Sequence, residues 1–451
     1  MKIQRISEFQ HEFSFLSSTQ NRDAYYARFL ESDLGKIHSA MPWKELISVF
    51  NLKESNKGSK MVFSPQGRLA LMFLKHYCCQ SDKRLIEQLN SNIDYQFFCD
   101  IHLGFNRLSN FKIVSQIRCE LATKLDIDKA EQVLYKYWKP FIANPNHITV
   151  DATCYESEVR YPSSQKLLWE SLSWLYNQLR IHCKILGIKL PRSKFLKWKK
   201  RYQGYSKMRR KTVKKKTALT RALLHLLDKF LNFETTLHHQ NHIVFTKAYY
   251  QRVAIIKKVY IQQLSYFKTG ESPTNRIVSI AKDYLRPIVR GKEIKAVEFG
   301  AKVNKIQIDG INFIEHLNFN PFNEGTRLKS TVFKVQRLTK TKTKIIGADA
   351  IYASNSNRKF ITKHKIQTDF RPKGKQSKKH KEQQKLRTLI TKERATRLEG
   401  SFGKEKEYYH LKKIKAKTKP TERLWIFFGI HTANALEIGR RKTQSLLLKS
   451  A

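Results

Sequence analysis

The run Ile345-Ile346-Gly347-Ala348, uncharged and ending on Asp349, has the composition of a strand buried in the middle of a sheet. It constrains the fold more than any other stretch, because a buried strand needs partners on both edges and cover on both faces. Partners are legible. After the turn Asn144-Pro145-Asn146, the residues Ile148, Val150 and Ala152 alternate with Thr149, Asp151 and Thr153 as a strand does, which places Asp151 on an edge of a packed sheet. Val297 to Val303 and a stretch from Ile311 flank Asp309-Gly310, a strong hairpin signal, and Ile366 to Phe370 is a further strand.

Helical patterns supply the cover. Ser64-Pro65 reads as a cap with Pro in the first turn, followed by a dense apolar band at Leu69, Leu71, Met72 and Phe73. Ser81 starts a second helix through Leu85 and Leu89, and a third follows near Leu108 to Leu125. Such a unit of helix-turn-helix type either reads DNA or only dimerises. Residues 217–232 keep the i, i+3, i+4, i+7 rule; Leu328 to Leu338, 384–412 and Leu424 to Ile438 also read as helices, while 371–383 read as a loop. The fold class is therefore α/β. Its expected parts are a helical N-terminal domain (1–140), a core built on the sheet (141–164 and 296–441), a helical basic insertion (165–295) and a tail (442–451).

Charge narrows the partner. With 87 Lys+Arg against 37 Asp+Glu the net charge is +50, which calls for a polyanion, nucleic acid before membrane. From Ser171 to Leu227 there is no Asp or Glu, while Lys199, Lys200, Arg201, Arg209 and Arg210 crowd one stretch beside Trp198, Tyr202 and Tyr205. Cations beside aromatic faces suit a groove that tracks a phosphate backbone and stacks an unpaired base; a solvated basic loop that binds any polyanion is the plainer alternative. The six cysteines form no C-x-x-C pair, Met1 to Phe15 lacks an apolar leader, and no stretch is long and apolar enough to span a membrane. The expectation is a cytoplasmic, nucleoid-associated protein with no membrane partner.

Three carboxylates carry the chemistry. Phosphodiester cutting and joining needs an activated oxygen nucleophile and neutralised phosphate charge, which a pair of divalent ions held by hard oxygen ligands provides. Asp151 and Asp349 close apparent strands; Glu399 rides a helix at the margin of the stripe marked by Leu398 and Phe402, ahead of Lys406. Read structurally, Asp151 is a strand-end residue, Asp349 an Asx-turn or cap, and Glu399 a solvent-facing helix residue like Glu393, Glu405 and Glu407. Gly400 and Gly403 suggest either close approach of DNA or another backbone, or a helix break.

At these residues the chain resembles the DDE transposases of bacterial insertion sequences. The resemblance runs through LMFLKHYCCQSDKRLIEQLNSN within 64–103, ITVDATCYESEVRYPSS at 148–164, PIVRGKEIKAVEFGAKV at 287–303, IIGADAIYASNSNRKFI at 345–361 and RLEGSFGKEKEYYHL at 397–411. It implies a ribonuclease H-like mixed-sheet core in which Asp151, Asp349 and Glu399 bind two metal ions, Mg2+ or else Mn2+, and Lys406 holds a phosphate. A related branch carries Tyr-x2-Arg-x3-Glu-x6-Lys on the Glu helix. Here Lys392 and Ala395 occupy the Tyr and Arg places, so Arg394 or Arg397 would substitute. The implied partners are double-stranded DNA, as terminal inverted repeats and target, and a second copy in a homodimeric synaptic complex. The alternatives are a catalytically inactive, transposase-derived DNA-binding protein and a host nuclease on the same core.

Overall fold

A computed structural model of the chain describes residues 18–54, 61–241, 245–289, 296–373 and 380–450. Met1 to Phe15, and residues 374–379 of the expected loop, lie outside them. The chain forms two compact units. One comprises 1–157, 301–318 and 322–451; the other comprises 158–300 and 319–321.

The strands are β1 (His147–Glu156), β2 (Pro287–Val289), β3 (Val297–Ile308), β4 (Ile311–Asn318), β5 (Ile345–Ala348) and β6 (Gln367–Thr368). β4 pairs with β3, and the sheet continues through β1 and β5 to β6. Asp309 and Gly310, with φ of 47° and 82°, make the left-handed two-residue turn that matches the twist of the β3–β4 hairpin. β1 and β5 are parallel with Val150 opposite Ala348, and β5 and β6 are parallel with Ile346 opposite Thr368.

Two expectations need correction here. β1 is interior, so Asp151 stands in the middle of the sheet rather than at its edge; Thr149 and Thr153 are small enough to be buried like the apolar residues between them. β6 is two residues long rather than Ile366 to Phe370. Beyond Thr368 the Asp369 carboxylate, at 3.0 Å, accepts the Ala348 amide that a backbone carbonyl would otherwise take.

Among the described residues, the N-terminal helices of the first unit are α1 (Ser18–Glu31), α2 (Asp33–Ser39), α3 (Trp43–Val49), α4 (Pro65–Cys78), α5 (Asp82–Ser91), α6 (Ile93–Phe98), α7 (Lys112–Lys124) and α8 (Ile127–Trp138). The Ser64 hydroxyl accepts from the Gly67 amide and the Ser81 hydroxyl from the Arg84 amide, as the capping pattern requires. α6 was not expected; Asn92 caps it. After the second unit's α9 (Ser164–Leu186), α10 (Phe195–Lys207), α11 (Val213–Asn241) and α12 (Lys247–Thr269), the first unit resumes with α13 (Leu328–Thr339), α14 (Asn355–Lys363), α15 (His380–Glu393), α16 (Gly400–Tyr408) and α17 (Lys419–Ser450). α17 joins the N-terminal helices in one aromatic core, with Phe428 packed edge-on against Phe73 at 4.7 Å and tilted against Phe50 at 6.3 Å. The second unit packs Leu172, Leu175, Leu223, Leu227, Phe230 and Ile256 into a core of its own.

Candidate catalytic carboxylates and nucleic-acid interface

Parallel pairing of β1 with β5 fixes the first two carboxylates. Asp151 and Asp349 each follow the last paired residues, Val150 and Ala348, so they stand on neighbouring strands at the same level. Gly347 makes this possible: a Cβ there would meet Ile390 of α15 at 2.7 Å and Thr149 of β1 at 3.1 Å, so glycine lets the helix close directly over the strand. Burial pushes the Asp151 carboxyl up to about 6. The Ala152 amide, 2.7 Å away, and Arg394 pull it down, whereas Glu324 and Asp349 push it up. Asp349 is exposed and caps the short 3-10 turn Ala350–Tyr352, accepting from the Ala350 amide at 2.7 Å.

Glu399 arrives on a helix laid along β1. The odd-numbered face of that strand meets it repeatedly: His147 lies 3.4 Å from Glu393, Thr153 accepts from Lys406 Nζ at 3.2 Å, and the Tyr155 hydroxyl donates to Glu405. Between α15 and α16 the helix widens into a π turn, Arg394–Glu399, closed by hydrogen bonds one residue longer than those of an α-helix. In an α-helix, at about 100° per residue, side chains five apart point roughly 140° from each other. Here the wider turn brings Arg394 Nη1 to 3.2 Å from Glu399 Oε1. Such turns recur at functional sites.

Glu405, not Glu399, is the glutamate on the buried stripe. Its carboxylate accepts from Lys305 Nζ at 2.8 Å, Asn312 Nδ2 at 3.1 Å and Tyr155, so β3, β4 and β1 all grip α16 at one point. Lys305 and Glu405 are 0% and 1% exposed. Burial lowers the Lys305 pKa while Glu405 opposes the shift. Glu399 is 49% exposed and faces Arg394. Neither Gly400 nor Gly403 has an atom within 4 Å of where a Cβ would stand, so no packing within the described residues requires glycine at either place.

Two acids near this site carried no sequence signal. Glu324, in the 3-10 turn Glu324–Arg327, raises the Asp151 pKa and pairs with Lys302 at 3.2 Å. Asp369, at the end of β6, pairs with Arg394 at 3.8 Å. Among the described residues no three Asp, Glu, His or Cys side chains are grouped closely enough to hold one metal ion. Donor chemistry still fits a hard divalent cation: Asp151 and Asp349 bring carboxylate oxygens to neighbouring strands, burial and then the nearby acids raise Asp151, and Glu399 pairs with the same guanidinium that acts on Asp151.

The basic candidates divide. Lys199, Lys200 and Arg201 are exposed on α10, and Arg209 and Arg210 are exposed in the bend before α11. The sequence offers the aromatic residues between them for base stacking, but Tyr202 and Tyr205 do not face outward. Tyr205 is in the core, and Tyr202 stacks on Trp169 at 5.0 Å, because α10 is amphipathic and turns these rings toward α9. Arg397 is bound to Asp309 and Glu393, both at 3.3 Å. None of the six cysteines is in a disulfide, and no helix among the described residues is long and apolar enough to cross a membrane.

Comparison with known proteins adds two family matches. Residues 23–120, from α1 into α7, match the model described as Transposase domain (DUF772), and residues 346–430 match that described as Transposase DDE domain. The second match includes Asp349, Asp369, Arg394, Glu399 and Lys406; Asp151 and the second unit lie outside both. No curated protein and no solved structure matches the chain. With one transposase domain toward its beginning and a DDE domain toward its end, the two matches support an insertion-sequence DDE transposase.

Proposed function

We propose that the protein cuts the ends of its insertion sequence and joins them to target DNA, with Asp151, Asp349 and Glu399 as ligands for two divalent cations, Mg2+ or Mn2+. The observation that carries this is the level placement of Asp151 and Asp349 on paired parallel strands with the Glu399 helix laid along one of them. A strand order of β4-β3-β1-β5-β6, antiparallel at the hairpin and parallel beyond β1, supports a ribonuclease H-like core. Cations bound to these carboxylates would neutralise phosphate charge and supply an activated nucleophile.

In the first step water adds to phosphorus at the element's end as the bond to the 3′ oxygen breaks. In the second, the freed 3′-hydroxyl attacks a target phosphodiester and expels a target 3′-hydroxyl. Lys406 holds a phosphate from the β1 side, and Arg394 takes the place of the arginine of the Tyr-x2-Arg-x3-Glu-x6-Lys signature: it stands one residue further from Glu399 than that signature has it, and the π turn absorbs the extra residue. Arg397, bound to Asp309, is the weaker substitute. The N-terminal helices recognise the terminal inverted repeats, Lys199, Lys200, Arg201, Arg209 and Arg210 bind the DNA backbone, and a homodimer pairs two ends. The test is nicking of a labelled end fragment by purified protein with Mg2+. Cleavage by wild type and none by Asp151→Ala is expected, whereas equal cleavage by both, or binding without cleavage, refutes the proposal.

A further inference from the structure

We infer that Asp369 is a positioning residue of this site, holding the Arg394 guanidinium so that Glu399 is released toward Asp151 and Asp349 instead of being neutralised where it stands. The inference rests on the reading of those three carboxylates as cation ligands. Arg394 is shared unequally between two acids. Its Nη1 is 3.2 Å from Glu399 Oε1, a hydrogen bond, while its Nε is 3.8 Å from Asp369 Oδ2, an ion pair whose hydrogen bond is not made. That Nε is buried and has no hydrogen-bond partner among the described residues. A buried donor left unpaired costs free energy, so a shift of under about 1 Å toward Asp369 completes a bond the structure leaves open.

Asp369 is built to receive it. Its side chain is 5% exposed and that of Arg394 14%, against 49% for Glu399, so the guanidinium has one enclosed partner and one that is free to turn. Asp369 Oδ1 is fixed by the Ala348 amide at 3.0 Å, one residue before Asp349. Both oxygens are thus committed, one to the end of β5 and the other to Arg394, which makes Asp369 a holder of the arginine and not a further ligand. Without it, Arg394 would keep Glu399 as its hydrogen-bonded carboxylate and would compete with a cation for it.

The test is Mn2+ titration of the full chain, following the electron paramagnetic resonance signal of free Mn2+, with thermal melting in parallel. Asp369→Asn keeps the size and an acceptor for the Ala348 amide but loses the charge; it is expected to raise the half-saturating Mn2+ concentration about three- to tenfold, as for a partly buried charge pair. Arg394→Ala is expected not to raise it, and the double variant to behave like Arg394→Ala. No rise in Asp369→Asn overturns the inference, as does the same rise in the Arg394→Ala background, since Asp369 would then act by some other route. Should Asp369→Asn fail to fold, Asp369→Glu carries the test: retention of the charge predicts half-saturation within about twofold of wild type, and a tenfold rise overturns it. Wild type that takes up no Mn2+, or Asp151→Ala that takes it up unchanged, overturns the cation reading and this inference with it; uptake lost in Asp151→Ala but unaltered in Asp369→Asn overturns the inference alone.

Discussion

Replacing Lys305 by Met tests whether one buried ion pair holds the Glu399 helix on the sheet. Lys305 and Glu405 lie 2.8 Å apart and essentially out of water, with Ser401 as a further acceptor for the ammonium at 2.7 Å. At an effective dielectric constant of about 20, charges at that distance attract by roughly 6 kcal/mol, but desolvation offsets most of this, so the intact pair adds little net stability. Breaking it is another matter. Met fills the space of the lysine stem and leaves the Glu405 carboxylate buried without its cation, which costs about 3–5 kcal/mol. For a unit of roughly 300 residues that lowers the melting temperature by about 5–8 °C. The double variant Lys305→Met/Glu405→Gln removes the orphaned charge yet still accepts from Tyr155 and Asn312, so it should recover most of the loss. Melting curves of the wild type, both single variants and the double variant close the cycle. A Lys305→Met protein melting within about 2 °C of wild type, or a double variant no better than Lys305→Met, refutes the argument that the pair is dry and coupled.

Acid should destabilise the first unit: burial lowers the pKa of His38 and His410 to about 4 and that of His76 further, so below pH 6.5 the unfolded chain takes up protons the folded chain refuses. Stability is then full above pH 6.5 and falls as pH drops toward 4, by about 1–3 kcal/mol for each of His38 and His410, and melting temperatures that stay constant from pH 7 to 5 would contradict this. Gly347→Ala should destabilise by about 1–3 kcal/mol through its clash with Ile390 and Thr149, while Gly400→Ala, with open space around it, should stabilise by up to about 1 kcal/mol; equal melting shifts would show that the strand end does not pack as described. Replacing Lys199, Lys200 and Arg201 together by Ala should leave melting unchanged and reduce the slope of log affinity for duplex DNA against log salt by about 2–3, read by fluorescence anisotropy, and an unchanged slope would remove α10 from the DNA interface.

What the sequence displayed and what it concealed follow from the range of the interactions involved. Strand alternation, the Asp309-Gly310 turn and the Ser64 and Ser81 caps are local, and each names its own structure. Which strand is interior is not local: β1 alternates like an edge strand, and only its pairing with β5 and β3 places Asp151 mid-sheet. The signal for Glu405 was present but weak. Leu398, Phe402 and Glu405 stand at i, i+4 and i+7, so the buried stripe runs through a glutamate, and a sequence reader discounts that unless a cation is available to pair with it. The cation is Lys305, on a strand 100 residues earlier. Asp369 and the π turn conceal themselves in the same way: the one depends on β6 lying beside β5, the other on Arg394 having two carboxylates to satisfy, and neither leaves a local pattern. The one hint is arithmetical. Five residues separate Arg394 from Glu399 where an α-helical pair would use four, and a helix can bring such a pair together on one face only by widening its turn. An arginine one place out of register on a helix that also carries an acid is therefore a reason to look for a π turn, and here the turn falls on the glutamate of the proposed site.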